Sequence, residues 1–200
     1  MIRLLDEDEQ SAARKAFSRV FTGTSLERSV FQPSVEARML LYPTLIQVLD
    51  ADQYRAVFAA ARALGDREAD IATYVYNREG PDRFEYWLAI DLDDEDAYHR
   101  EWPVLWAHEH ALFSPTGRWG VLKRDNEEAF VGGPVAFVDE IRERLGVDED
   151  EVVRDWLGYW EDNRRPDFEP DWLPDLLEHL YGPEGAREWL AGTGFAPGSA

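Results

Sequence analysis

The chain has 200 residues, with 41 acidic against 21 basic side chains, a net charge of −20, four histidines and no cysteine. So negative a field repels nucleic acid and anionic lipid and attracts basic proteins. The missing cysteine removes disulfides, thiolate catalysis and Cys-ligated metal sites. Yet 44% of the residues are hydrophobic and eight are tryptophan, which sets the chain apart from an acidic disordered polymer.

Asp6 with Glu9 matches a capping box and opens a helix whose Ala13, Ala16, Phe17, Val20 and Phe21 share one face. Residues 22–33 read as a loop. Residues 39–49 are apolar but interrupted by Pro43, and their pattern decides neither helix nor strand. Asp50 or Asp52 caps a second helix on which Tyr54, Val57, Phe58, Ala61 and Leu64 recur at helical spacing up to Gly65. The period then changes to two. Segments 71–76 and 84–90 predict a hairpin across a loop containing Gly80 and Pro81, and the acidic run 91–96 follows as a turn or helix start.

A second hairpin is predicted for 106–113 and 118–123 around Ser114-Pro115-Thr116-Gly117, whose proline and glycine fit a type I turn. A strand over 129–131 runs into Gly132-Gly133. Pro134 stands where a helix start tolerates it, before a helix buried through Phe137, Val138, Ile141 and Leu145 and ended by Gly146. Asp148 with Glu151 matches another capping box, ahead of Val152, Val153, Trp156, Leu157 and Trp160 on one face. Two short helices, 172–181 and 184–190, precede a Gly/Ala/Pro/Ser-rich tail, 192–200, expected to fray. Helices, then hairpins, then helices predict an α+β fold. Its core would be a central antiparallel meander of four to five strands flanked by N- and C-terminal helices. Residues 1–191 read as a single domain, with 148–191 as a helical part that could form a sub-lobe.

Four groups are candidates for chemistry. His108 and His110 stand two apart on a predicted strand and project to one face, where they could share a metal ion or simply belong to a packed surface; Glu109 points the other way. Trp119-Gly120 and Gly132-Gly133 suit an aromatic ring lying over bare backbone, or an anion at a helix start, and their spacing is not that of a phosphate loop. The acidic clusters 91–96 and 148–151 lack the glycine of a calcium loop. The fourth group is aromatic and acidic: Trp156 and Trp160 read as core, while Tyr159 and Trp172 beside Asp155, Glu161, Asp162 and Asp171 form a candidate partner-binding surface. It lies within 148–188, where 14 acids face 4 bases and half the net charge is concentrated.

No complete catalytic motif is present and nothing calls for a cofactor. The N-terminal ten residues lack the pattern of a signal peptide, and no apolar run approaches the roughly 20 residues of a membrane span. The expectation is a cytoplasmic protein. The stretch from His108 through Phe113-Ser114-Pro115-Thr116-Gly117-Arg118-Trp119-Gly120-Val121, followed by Phe130-Val131-Gly132-Gly133 and Phe137, resembles small bacterial immunity proteins of polymorphic toxin systems. That resemblance covers about 30 residues. It implies a non-enzymatic α+β protein that binds a toxin domain. The expected function is therefore an acidic inhibitor sequestering a basic toxin or nuclease domain. A metal-dependent hydrolase using His108 and His110 is one alternative; an acidic structural or regulatory protein whose charge serves only solvation is the other.

Overall fold

The computed structural model describes residues 2–24, 29–45, 48–75, 83–94, 96–100, 109–124, 126–164 and 170–195. Seven strands form one sheet: β1 (Ile2–Leu4), β2 (Ala37–Leu41), β3 (Glu68–Val75), β4 (Arg83–Asp91), β5 (Glu109–Phe113), β6 (Gly120–Lys123) and β7 (Ala129–Gly133). They lie in the order β1-β4-β3-β5-β6-β7-β2, and every neighbouring pair is antiparallel. The helices are α1 (Glu7–Val20), α2 (Ala51–Ala63), α3 (Ala97–Arg100), α4 (Val135–Leu145), α5 (Glu149–Asp162) and α6 (Leu173–Leu190). The α+β class and the flanking helices are as expected; the sheet is wider by β1 and β2.

The sheet is covered on both faces. On one face α1, α5 and α6 bury Phe17, Val20, Val153, Trp156, Leu176 and Leu177 against Leu40, Ala72, Phe113, Leu122 and Phe130. On the other, α2, α3 and α4 bury Val57, Phe58, Tyr98, Phe137 and Ile141 against Met39, Ile71, Leu88, Leu112, Val121 and Val131. Alternate residues of one strand thus serve different cores, as the two-residue period of a strand requires. The C-terminal helices share one hydrophobic cluster with α1.

Local signals set the helix ends. Asp6 and Glu9 form the reciprocal box on α1, and Asp50 with Gln53 does the same on α2. The Asp148 carboxylate accepts from the amides of Asp150 and Glu151 at the start of α5. Gly146 closes α4 with φ 59°. Gly182, at φ 79°, breaks α6 before Pro183, so the two predicted helices meet there at a kink. Gly117 N–H bonds the Ser114 carbonyl (2.8 Å), closing the predicted turn. The start of the supposedly frayed tail is in fact held: the Gly194 amide donates to Glu161 (2.6 Å), and Phe195, 8% exposed, joins the core. Burial of that ring is the reason. Of the remaining expectations, residues 106–108, the Gly80-Pro81 loop, Glu95 and 196–200 lie outside the described residues.

The paired glycines make room for rings. Gly120 and Gly132 are cross-strand partners, and the rings of Phe21 and Phe31, stacked at 5.6 Å, lie directly over them. A Cβ on Gly120 would stand 2.4 Å from the Phe21 ring, which is itself fully buried. Gly120→Ala is expected to cost about 2 kcal/mol by overpacking, read as a lower urea midpoint at unchanged slope; an unshifted midpoint would contradict this packing.

Both sheet edges are modified against pairing. The outward Leu40 amide of β2 donates to the Tyr181 hydroxyl of α6 (3.0 Å), and the Arg38 carbonyl accepts from Arg142 of α4 (3.3 Å). At the other edge β1 is three residues long and carries Arg3, ion-paired to Glu9 at 2.8 Å. Short, charged or covered edges are how sheets avoid joining other sheets.

Candidate functional site

The acidic segment folds into α5 and α6. Positions 150, 154, 157, 158 and 161 recur at i, i+4, i+7, i+8 and i+11 and therefore form one stripe along α5. Against this stripe lies the part of α6 beyond the Gly182 kink. Between them is a cleft of about 460 Å³, lined by Asp150, Arg154, Gly158, Glu161, Glu188 and Trp189, with Leu157 and residues 191–193. Three carboxylates face one guanidinium. Trp189 is fixed on two sides: its Nε1–H donates to Asp150 (3.2 Å), and its ring meets that of Tyr181 edge-on at 4.3 Å.

Of the six residues expected to bind a partner, Glu161 lines this cleft; the other five are not among its lining residues. Asp155 and Asp162 are exposed on the adjoining stripe of α5, and Asp171 is exposed just before α6. Tyr159 and Trp172 are half-buried. Tyr159 packs 6.1 Å from Tyr42 and 5.3 Å from Trp160, and Trp172 packs 5.3 Å from Trp160 and 6.3 Å from Trp156. Trp156 and Trp160 are core, as read from the sequence. The two half-buried rings join the carboxylate surface to that core rather than standing out from it.

His110 sits on β5, buried, with its Nε2 hydrogen-bonded to the Tyr98 hydroxyl at 2.7 Å. Burial raises the Tyr98 hydroxyl well above its usual range. His108 lies outside the described residues. Among the described residues no three metal-ligating side chains converge. Glu109 does face the opposite side of the sheet, where it pairs with Arg124 at 3.1 Å, both side chains being nearly buried. The same side holds Glu128, fully buried, which accepts from the Trp156 indole. Burial pushes the Glu128 carboxyl up, against the pull of Trp156, Arg124 and Lys123. Lys123, also buried, donates to the backbone carbonyls of Arg124 and Asn126. These partnered charges hold the ends of β5, β6 and β7 together.

A larger groove of about 760 Å³ lies between the loop after α1, the β2 edge and α6, lined among others by Thr22, Phe31, Arg38, Glu178 and His179. Here the Phe31 amide donates to His179 Nε2 (3.0 Å), so the ring is neutral and carries its proton on Nδ1. Burial, with the nearby Arg38 guanidinium, pushes the His179 pKa down to about 4. Arg38 is itself held by the carbonyls of His179 and Gln32. The group clamps loop, strand and helix to one another.

No protein-family model, no curated protein and no solved structure matches this chain. What distinguishes the candidate site is therefore read from its own residues. Trp189, Glu188 and Gly158 escaped sequence reading because they meet only across the kink. The one available signal was Gly158, a glycine inside an otherwise regular helical pattern.

Proposed function

We propose that this protein is an acidic cytoplasmic binding protein, an immunity-type inhibitor that sequesters a basic toxin or nuclease domain by protein–protein contact. The observation that carries the reading is the placement of charge. Half of the net charge falls in 148–188, and Asp150, Asp155, Glu161, Asp162, Asp171 and Glu188 are exposed on and around two adjacent helices. Carboxylates displayed on a rigid helical surface steer a basic domain into encounter and stand in for the phosphates that a nuclease would otherwise bind. The covered sheet beneath supplies the rigidity. No helix among the described residues is long and apolar enough to cross a membrane.

The test is capture of partners by the tagged protein at low and then moderate salt, followed by assay of the captured protein's toxicity or nuclease activity with and without added inhibitor. One basic protein in stoichiometric amount, retained at moderate salt and neutralised by the complex, is expected. Replacing Asp155, Asp162 and Asp171 together by lysine is expected to slow association about tenfold or more and to change dissociation less. A salt-labile mixture of basic proteins, none of them inhibited, would falsify the proposal.

A further inference from the structure

We infer that the cleft between α5 and the second half of α6 is a slot for an arginine side chain of the basic partner, an inference that rests on the reading of the protein as a binder of basic proteins. The first observation is Gly158. It lies in the interior of a 14-residue helix, where glycine is the least favourable residue after proline. Its backbone is not in the left-handed region, and a Cβ added there would meet nothing within 4 Å. Neither the local conformation nor the packing of the chain on itself calls for glycine at this position. The bare backbone faces the cleft and leaves room for a group from outside to lie against the helix. Gly192 at the other rim likewise has open space where a Cβ would point.

The second observation is the chemistry of the walls. The Trp189 indole, held by Tyr181 and Asp150, offers an aromatic surface of fixed orientation. Glu188 at the rim offers its carboxylate oxygens, and Glu161 across the cleft, one of whose oxygens accepts from the Gly194 amide, offers the other. A guanidinium is planar: it stacks on an aromatic ring and donates several N–H bonds sideways to carboxylates. An ammonium can use the charge but not the plane. Among the described residues that line the cleft three carboxylates stand against one cation, Arg154, so an incoming cation gains charge complementarity. The combination selects arginine over lysine.

The experiment uses the whole protein with ¹⁵N-labelled indoles, the Trp189 signal being identified with Trp189→Phe. N-acetyl-arginine amide, N-acetyl-lysine amide and hexa-arginine serve as probes. A saturable shift of the Trp189 indole with the arginine amide is expected, with binding of the lysine amide about threefold weaker or more. Gly158→Ala separates binding from folding. It is expected to raise Tm by about 2–4 °C through helix propensity, while weakening hexa-arginine binding about fivefold by filling the slot. Glu188→Gln is expected to weaken binding, whereas Glu143→Gln, which removes the same charge from an exposed position of α4 outside the cleft, leaves the Trp189 response in place. A Gly158→Ala protein that binds as the wild type does would overturn the slot. Hexa-arginine that binds without moving Trp189 also overturns it, but leaves the acidic-binder reading standing. No hexa-arginine binding at low salt overturns both.

Discussion

Replacing Asp66 by alanine is expected to lower the stability by about 4 kcal/mol. Asp66 follows α2 and reaches across to the turn between β5 and β6. Its carboxylate accepts from Ser114 Oγ (2.9 Å), from the Trp119 indole (2.7 Å) and from Arg118 (2.7 Å). Trp119 is fully buried and stacks on Phe137 at 4.9 Å, so its N–H finds no water when the acceptor goes. A buried donor stripped of its acceptor loses about 1–3 kcal/mol by itself, and bonds to a charged acceptor contribute about 1.5–3 kcal/mol each. For a chain of this size the loss corresponds to a fall in Tm of roughly 8–16 °C. Arg118→Gln is the informative companion: its side chain is 43% exposed, and such a pair is worth under about 1 kcal/mol. Urea unfolding of the two variants checks the account, and a loss below about 1 kcal/mol for Asp66→Ala would show that these bonds do not anchor the turn.

Asp70→Asn is expected to act in the opposite direction and to depend on pH. Asp70 lies on β3 in a cross-strand row, Arg3–Ala89–Asp70–Phe113, and is 7% exposed. Burial, reinforced by Glu68 and Glu9 and opposed by Arg3, lifts its carboxyl from 3.8 to about 6. Glu9 draws the Arg3 guanidinium into its own pair at 2.8 Å, which limits the relief Arg3 gives Asp70. A raised native pKa means that the folded state holds the proton more tightly than the unfolded chain. Relative to acid conditions, stability is fully present below about pH 4 and is lost as the pH rises through about 6. The loss amounts to about 2 kcal/mol once water access is allowed for. Asparagine carries no such charge. The variant should therefore match the wild type near pH 4 and exceed it by about 2 kcal/mol at pH 7.5. Denaturation midpoints across that range provide the check, and a stability difference independent of pH would refute the role of the charge.

The helices were legible in the sequence because their signals are local. The Asp6–Glu9 box, the apolar spacing from Tyr54 to Leu64, Gly146 and the Gly182-Pro183 break are each contained within a few residues. The same holds for the Ser114–Gly117 turn. The strands β1 and β2 were not legible, for different reasons. In β2, Met39 and Leu41 face one core and Leu40 the other, so a strand buried on both sides shows an unbroken apolar run with no alternation to read. β1 has three residues and owes its state to pairing with β4. The candidate site was legible as charge but not as shape. Acidity over 148–188 can be counted, but the cleft exists only because the kink at Gly182 turns Trp189 and Glu188 back toward α5.

The Tyr181 hydroxyl on the Leu40 amide joins residues 141 positions apart. On a ribosome β2 is made well before Tyr181, so the outward Leu40 amide waits for a partner that follows it by 141 residues. Chain elongation thus imposes an order on that edge: Arg142 is available to the Arg38 carbonyl before Tyr181 is available to the Leu40 amide. The acidic segment 148–188 is thus also a cover for the sheet, and its charge accompanies the edge it seals.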